Sequence, residues 1–422
     1  MSATRVRYAV LAGLSLVAAI AYFERQLIAV VATPLRSDLQ LDETQMGSVM
    51  ASFYLGYALF QIPSGWLADR WGSRKSLSLF AALWSLAAAG MALATGYASL
   101  TLMWFVVGSA QAGVFPCATN SIRQWIPLTR RAFASGMLAS FMSLGGAFSA
   151  YLAGKLIGSF DWRALFILFA LPGVAWAISF YWLFRDSPAE LAAVNEAERV
   201  TISAGVVASP ERDTRPATPW RALLTSRSMW AVCGQQFFRA AAYIFFATWF
   251  TTYLKASRGL SLEAASTLTS LPLLAVVAGS PVGGALSDWL LATTGSRRAS
   301  RCLLSATSMA SCAALILAAY FVADARWAVL VISGGAFCAA VGGVSAYTIT
   351  MDLGGQHVAT VFSVMNMCGN IGAALCPPLV GWLAQTTGRW NEILLLFAAI
   401  YAAAGLCWLL LDPSQPIVPA EE

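Results

Sequence analysis

Residues 65–75 read GWLADRWGSRK, a short polar stretch between two long apolar segments. A weaker copy stands in the second half of the chain, where residues 284–298 read GALSDWLLATTGSRR. The acids of the two copies, Asp69 and Asp288, are 219 residues apart. A Gly-Ala step later in each half repeats with nearly the same offset, since Gly146 and Gly372 are 226 residues apart. The chain is therefore predicted to contain two related halves.

The composition indicates a membrane protein. Of the 422 residues, 59% are hydrophobic and 11% charged, and the mean hydropathy is +0.68. Soluble domains carry about 25% charged residues. Runs long enough to cross ~30 Å of hydrocarbon fall near 7–35, 44–68, 75–96, 99–121, 132–156, 162–184, 228–254, 264–290, 300–322, 326–350, 358–384 and 391–411. We predict an all-α membrane protein with twelve transmembrane helices in two six-helix repeats.

A polar stretch separates the two groups of helices. It covers residues 188–227 and carries charges and the prolines Pro188, Pro210, Pro216 and Pro219. The predicted domains are an N-terminal six-helix bundle at 1–187, a cytoplasmic linker at 188–227 with a short surface helix near 189–200, and a C-terminal six-helix bundle at 228–422. Same-orientation repeats of this kind are a transporter architecture with the substrate held at the repeat interface.

The distribution of basic residues predicts the orientation. With the N-terminus in the cytoplasm, 17 of the 26 Lys and Arg residues fall on that side, seven on the other and two inside the membrane. The positive-inside rule therefore places both termini in the cytoplasm of a multi-pass cytoplasmic (inner) membrane protein. The net charge of +6 then reflects topology, and we expect no nucleic-acid partner. The first segment runs through Leu35 with no convincing cleavage site, which predicts an uncleaved helix.

Enzyme signatures are missing from the sequence. It has no Walker A pattern, no G-x-G-x-x-G after a strand, and one histidine, His357. The eight cysteines lie in or beside apolar stretches without C-x-x-C spacing, which is typical of small buried side chains. We predict a protein that is not an enzyme, with no cofactor and no metal site.

The 65–75 stretch resembles the loop 2–3 signature of the major facilitator superfamily. Further blocks are similar to its organic anion:cation symporter branch, which includes bacterial sugar-acid transporters, sialin and the vesicular glutamate transporters. These blocks are YALFQIPSG at 57–65, DWR at 161–163, RDSP at 185–188, TWFTTYL at 248–254 and NMCGNIG at 366–372. The resemblance covers essentially the whole chain. It implies the major facilitator fold and transport of a small organic carboxylate.

Two arginines lie inside apolar segments, Arg25 in the first and Arg239 in the seventh. A guanidinium keeps its proton at any accessible pH, and placing it in hydrocarbon costs at least ~2.5–3.5 kcal/mol. The resemblance implies that both bind substrate carboxylate, for which the guanidinium fork is suited. Their offset of 214 residues places them at roughly equivalent positions, as a pincer. Alternatively, each pairs with an acid or extends to the membrane surface.

Glu24 is the candidate proton carrier, because it is the one acid near the middle of an apolar segment. Members of the resembling sugar-acid branch carry an Asp here as a proton-coupling group. The alternative is a counter-ion for Arg25 or Arg239. Relatives often place an Arg and, seven positions later, a coupling Glu in the fourth segment, but this chain has Trp104 and Gln111 there. Because Gln carries no proton, Glu24 would act alone, and Trp104 would narrow the pocket.

Polar side chains in other apolar segments complete the candidate site. The predicted substrate-binding residues besides the two arginines are Tyr22, Tyr57, Gln111, Tyr347 and Asn366. Alternatively, such side chains join neighbouring membrane helices by hydrogen bonds. The predicted gating residues, from the two copies of the signature, are Asp69, Arg70, Arg74, Asp288 and Arg298. The alternative for these charges is ordinary positive-inside topology.

Together these features predict a secondary active transporter. It would move a small organic carboxylate across the membrane by alternating access, as proton-coupled uptake, and we expect a monomer embedded in the bilayer. The alternative is an uncoupled facilitator, an anion exchanger, or an exporter of metabolites or drugs on the same fold. The fifth segment reads SLGGAFSA at 143–150, without the Gly-Pro motif of antiporter branches, which counts against an exporter.

Overall fold

The protein is described by a computed structural model over residues 3–204 and 218–414, and the regular structure in that part of the chain is helical. The first ten helices are α1 (Val6–Val30), α2 (Ala32–Leu39), α3 (Glu43–Trp71), α4 (Ser73–Gly90), α5 (Tyr97–Gln111), α6 (Val114–Trp125), α7 (Arg131–Leu156), α8 (Trp162–Leu183), α9 (Glu196–Ser203) and α10 (Trp220–Thr225). The others are α11 (Arg227–Thr248), α12 (Phe250–Arg258), α13 (Leu262–Thr294), α14 (Leu304–Phe321), α15 (Ala325–Gly343), α16 (Ser345–Leu353), α17 (Val358–Thr387) and α18 (Ile393–Leu409).

Each of the twelve predicted apolar segments contains helix. Within the described residues, ten helical segments are long and apolar enough to cross a membrane. The two predicted spans outside this set are those of α3 and α11. Both are long helices with polar side chains within them, such as Gln61 in α3 and Arg239 in α11.

Four of the predicted segments are interrupted, which the sequence did not predict. The first, fourth, seventh and tenth are split into α1 and α2, α5 and α6, α11 and α12, and α15 and α16. The break in the fourth segment follows Gln111, and the break in the tenth follows Gly343. Interrupted membrane helices are typical of transporter binding regions. The side chains beside these breaks are therefore candidates for the binding site.

The described helices belong to two compact units. Unit 1 comprises the chain up to Leu128, then Met137–Thr218 and Gln356–Ser363. Unit 2 comprises Thr129–Gly136, Pro219–Gly355 and the chain from Val364. The first residues of α17 thus belong to unit 1, and those of α7 to unit 2. The predicted domain boundaries at 187 and 228 stay a prediction, and residues 205–217 of the predicted linker lie outside the described part.

Each unit has its own apolar core. In unit 1, α3 packs along α5 and α4 along α8, around buried Trp84, Trp104 and Phe166. In unit 2, α13 and α14 pack along α15, and α18 packs along α11 and α14. The rings of Phe245 and Phe397 stack there at 4.2 Å. Since lipid replaces water outside a membrane helix, close packing and interhelical hydrogen bonds hold such cores together.

The linker helix begins later than predicted and holds the start of α1. Asn195 caps α9, so the helix starts at Glu196, and Pro188–Glu190 forms a separate 3-10 turn. The buried carboxylate of Glu198 accepts hydrogen bonds from the N–H groups of Val6 and Arg7, at 3.2 and 3.1 Å, and pairs with the Arg7 guanidinium at 2.9 Å. A carboxylate at this place satisfies N–H groups that a helix start leaves without partners.

Replacing Glu198 by glutamine is expected to lower the thermal unfolding temperature of unit 1 by a few degrees. Burial acts to raise the pKa of Glu198, but hydrogen bonds from Thr4, Arg7 and Val6 outweigh it and hold the pKa below its usual range. The stability that this contact contributes is therefore fully present above the pKa of Glu198 in the unfolded chain, and it is lost as the pH falls through the pKa of Glu198 in the folded protein. Thermal unfolding measured across acidic pH checks this. An equal loss of stability with pH in Glu198→Gln would contradict it.

Candidate anion and proton sites

The guanidinium of Arg25 lies among three aromatic rings of unit 1. Its carbon is 5.2 Å from the ring centre of Tyr22, 4.4 Å from Phe53 and 4.8 Å from Tyr54. The ring faces attract the cation without neutralising it. This arrangement holds the guanidinium in place and leaves its positive charge available to an anion.

No carboxylate neutralises this charge within the described part of unit 1. Arg25 has no acidic oxygen within 4.0 Å there, and the adjacent Glu24 is bonded elsewhere. Arg25 as a whole residue is half-buried. The alternative in which Arg25 pairs with an acid therefore finds no partner in its own unit.

Glu24 lies in a pocket between α1, α4 and α8. It is 2% exposed, and its Oε1 accepts hydrogen bonds from Ser85 Oγ at 2.9 Å and Trp84 Nε1 at 3.3 Å. Its Oε2 has no hydrogen-bond partner among the described residues. Gly173 of α8 provides the room, because a Cβ there would overlap both Ser85 Oγ and Glu24 Oε1. Glu24 and Arg25 thus contact different helices although they are neighbours in sequence.

The remaining predicted residues of unit 1 divide into two groups. The ring of Tyr57 stacks on that of Phe53, with 5.9 Å between the ring centres, and Tyr57 is close enough to Arg25 to interact with it electrostatically. Gln111 is 2% exposed and its Nε2 donates to the carbonyl of Ala21 at 3.0 Å, so it joins α5 to α1. This placement favours the helix-joining alternative for Gln111. Trp104 is also 2% exposed and packs between Phe53 and Phe166, so its ring fills the core of unit 1 instead of narrowing a pocket.

Arg239 of unit 2 is held by a neighbour on its own helix. Its Nε and Nη2 donate to Gln236 Oε1 at 3.2 and 3.0 Å. Gly343, at the break between α15 and α16, gives the guanidinium space, since a Cβ there would lie 3.3 Å from Nη1. Within the described residues no carboxylate oxygen lies within 4.0 Å of Arg239. This arginine is therefore positioned by a neutral amide and keeps its charge.

Tyr347 and Asn366 are half-buried in unit 2. Tyr347 lies in α16, directly after the break. Asn366 lies in α17, and its carbonyl accepts a hydrogen bond from Asn370 Nδ2 at 2.9 Å. Their substrate-binding role stays a prediction.

The signature aspartate Asp69 binds the first turn of α17. Its carboxylate accepts hydrogen bonds from the N–H groups of Ala359 at 3.1 Å and Thr360 at 2.8 Å, and from the Thr360 hydroxyl at 2.6 Å. One turn earlier, Gly65 permits the close approach, because a Cβ there would overlap Ser363 Oγ and the Ala359 carbonyl. The glycine and aspartate spacing thus allows the end of α3 to dock on a helix start.

Asp288 makes the matching contact in unit 2. It accepts hydrogen bonds from the N–H groups of Ala132 at 3.2 Å and Phe133 at 2.8 Å, which open α7. Gly284 approaches the Ala132 carbonyl in the same way as Gly65 approaches that of Ala359. The sequence repeat thus corresponds to a structural repeat: in each unit, an aspartate of the signature accepts hydrogen bonds from the first N–H groups of a long helix.

The structure does not bring the predicted arginines Arg70, Arg74 and Arg298 onto these aspartates. Arg70 lies over the ring of Trp66, at 5.2 Å, and Arg298 is exposed. Arg74 Nε donates to the carbonyl of Tyr181 at 2.7 Å, so it is bonded to the end of α8.

A residue that the sequence analysis missed stands beside Asp288 instead. Arg301 is fully buried, and its Nη1 lies 3.6 Å from Asp288 Oδ1 and 2.6 Å from Ser287 Oγ. Its Nε lies 3.5 Å from Asp352 Oδ2. In the sequence Arg301 is one of the basic residues that the positive-inside rule places on the cytoplasmic side, and nothing local distinguishes it from its neighbours Arg297 and Arg298.

The helical fold, the charged groups within membrane-length segments and the repeated helix-start contacts define a multi-pass membrane transporter. A family model described as the Major Facilitator Superfamily matches residues 14–374 and 295–422. The chain belongs to this superfamily, and the prediction of its twelve-helix fold in two groups of six is confirmed. It is a transporter and not an enzyme.

Similar proteins agree with this assignment. A probable sulfoacetate transporter of Cupriavidus necator is 30% identical over 419 residues, covering 99% of this chain and 96% of the relative. A probable galactarate/D-glucarate transporter of Bacillus subtilis is 30% identical, over 97% and 92% of the two chains. The solved structure of the proton:xylose symporter XylE has a TM-score of 0.73 at 14% identity, over 95% and 94%. The relatives are consistent with the organic anion symporter branch.

Proposed function

We propose that the protein takes up a small organic carboxylate across the cytoplasmic membrane by alternating access, driven by protons. One observation carries the proposal, which is the Arg25 guanidinium held by aromatic rings with no described carboxylate on it. A cation kept at this cost inside an apolar segment is suited to a mobile anion. The Arg239 guanidinium, held by Gln236, is the second proposed anchor.

The relatives support an organic acid as substrate. They are named for sulfoacetate and for galactarate or D-glucarate, and each of these molecules carries at least one carboxylate. The planar fork of an arginine binds a carboxylate by two parallel hydrogen bonds. Tyr22, Tyr57, Tyr347 and Asn366 would then hydrogen-bond other parts of the substrate.

Glu24 is the proposed proton carrier. Its carboxyl is buried with one oxygen lacking a described partner. A charged carboxylate without a cation is costly in such a pocket, so a change in access to water would change its protonation. We also propose that the termini are cytoplasmic and that the protein acts as a monomer.

Uncoupled exchange is the second candidate, and one observation favours it. Gln111 stands where relatives often carry a coupling glutamate, and its amide is bonded to the Ala21 carbonyl. A side-chain amide cannot carry a proton as a carboxyl group does. The protein would then move its anion by exchange or facilitated diffusion.

Transport by the purified protein in proteoliposomes separates these candidates. Uptake of labelled sulfoacetate, D-glucarate and a hexuronate is measured with and without an alkaline interior. Accumulation that requires the pH gradient supports proton coupling, and equilibration that ignores it supports the uncoupled alternative. If none of these acids nor other small carboxylates is transported, the proposed substrate class is wrong.

Replacing Asp69 by asparagine is expected to lower transport at least about tenfold, because we propose that its contact with the start of α17 serves the gate. The carboxylate satisfies two N–H groups and one hydroxyl at once, and charged hydrogen bonds of this kind contribute ~1.5–3 kcal/mol each. Initial uptake rates check this. Asp324→Asn is the control, because Asp324 caps only its own helix α15. Equal rates for both variants would oppose the gating role.

A further inference from the structure

An apolar groove runs between the first turns of α4 and the last turns of α8 in unit 1. Its volume is about 440 Å³. Its walls are large side chains together with one cation, namely Trp71, Lys75, Leu79, Ile178, Tyr181 and Trp182. The lining also includes small residues, among them Ala82 and Ala177. The groove is separate from the surroundings of Arg25 and Glu24.

Lys75 is an available cation in this groove. It is exposed, and no acidic oxygen of the described residues lies within 4.0 Å of its ammonium. Backbone carbonyls hold two neighbouring cations in place, since Arg74 donates to the Tyr181 carbonyl and Arg185 to the Trp182 and Phe184 carbonyls. Carbonyls are neutral, so both arginines keep their charges, and Lys75 is the basic residue in the groove lining itself.

The nearby acid does not neutralise this charge. Asp186 is 9% exposed, and its carboxylate accepts a hydrogen bond from the Arg74 N–H at 3.1 Å. It also fills the space beside Gly72, whose φ of +84° and missing Cβ allow the approach. Asp186 is thus used to cap the start of α4 and is not part of the groove wall.

The depth of the groove matches the membrane surface. Lys75 lies in the first turn of α4, and Tyr181 and Trp182 lie in the last turn of α8, both membrane-length helices. Trp and Tyr are enriched where lipid headgroups meet the hydrocarbon. A cation at this depth attracts anionic lipid, at about 1 kcal/mol for each Lys or Arg near the surface.

We propose that this groove binds one anionic phospholipid. The headgroup phosphate lies at the Lys75 ammonium, and an acyl chain lies along Leu79 and Ile178. A zwitterionic lipid brings its own positive charge and leaves less attraction for Lys75. A free phosphate would make no use of the apolar walls. The match of one cation to a long apolar slot therefore selects a lipid with net negative charge.

Native mass spectrometry of the full-length protein tests the proposal. The probes are phosphatidylglycerol and phosphatidylcholine with identical acyl chains, and the readout is the affinity ratio for the first bound lipid. The wild type is expected to prefer phosphatidylglycerol, and Lys75→Gln to reduce that preference about fivefold. Lys155→Gln, in the last turn of α7, is the matched control and keeps the preference. A second variant, Ala82→Phe, places a large ring in the groove lining and is expected to weaken binding of both lipids.

Three results would overturn the proposal. The first is an equal preference in Lys75→Gln and Lys155→Gln. The second is a wild type that binds both lipids equally. The third is displacement of phosphatidylglycerol by inorganic phosphate alone, which would show a headgroup site without a chain. The readout is binding, so none of these results depends on the substrate or the coupling ion.

Discussion

Uptake of the organic acid by the Arg25→Ala variant is expected to fall about a hundredfold. Truncating one partner of a buried, hydrogen-bonded charge pair costs about 2–5 kcal/mol, and each ~1.4 kcal/mol is a factor of ten in binding. Arg25→Lys keeps the charge but loses the fork and the stacking on three rings, so we expect it to recover only part of the activity. Concentration-dependent uptake in proteoliposomes measures both effects.

The control for this prediction is Arg326→Ala. Arg326 is an exposed arginine at the start of α15, and its replacement is expected to leave uptake within about twofold of the wild type, as for most exposed residues. Size-exclusion profiles show whether each variant is folded. Folded Arg25→Ala protein with unchanged uptake would remove the basis of the anion site.

Replacing Glu24 by glutamine is expected to abolish accumulation driven by a pH gradient while leaving substrate exchange in place. Glutamine has nearly the same shape, and its Oε1 can accept the Ser85 hydrogen bond that Glu24 accepts at 2.9 Å. It cannot gain or lose a proton. Two assays on the same proteoliposomes separate these effects, namely net uptake with an alkaline interior and exchange of labelled for unlabelled substrate.

Glu392→Gln is the matched control for the second prediction. Glu392 is exposed and pairs with Arg389 at 3.0 Å, so both assays are expected to match the wild type. Loss of exchange as well as accumulation in Glu24→Gln would indicate a structural role. Accumulation that persists in Glu24→Gln would show that another group carries the proton.

The fold followed from the sequence because a bilayer imposes simple rules on a chain. A helix that crosses hydrocarbon must be long and apolar, and the described helices lie where such runs were found. The signature at 65–75 and its copy at 284–298 marked the repeat. The breaks after Gln111 and Gly343 were not predicted, because hydropathy is insensitive to a change of a few backbone dihedral angles within an apolar run.

The sites were only partly predictable, because partners distant in sequence decide where a side chain goes. Arg25 and Glu24 were identified by their unfavourable place in an apolar segment. The helix that each one contacts, α3 for Arg25 and α4 for Glu24, depends on packing that no local pattern encodes. For Gln111 the same limit applied, since its bond to Ala21 bridges residues 90 positions apart. The contact between Gln236 and Arg239 was easier to predict, because residues three positions apart lie on the same face of a helix.

The contrast between the two faces of α1 has a consequence for the timing of transport. Consecutive residues on a helix point about 100° apart and keep that angle when the helix moves as a body. A turn of α1 about its axis large enough to bring Glu24 out to water would also draw the Arg25 guanidinium away from Phe53 and Tyr54 of α3, while Tyr22 of α1 would move with it. The same rotation of α1 would then drive both proton exchange at Glu24 and anion release from Arg25. Anion release and proton exchange would then occur together without direct contact between the anion and the Glu24 carboxyl.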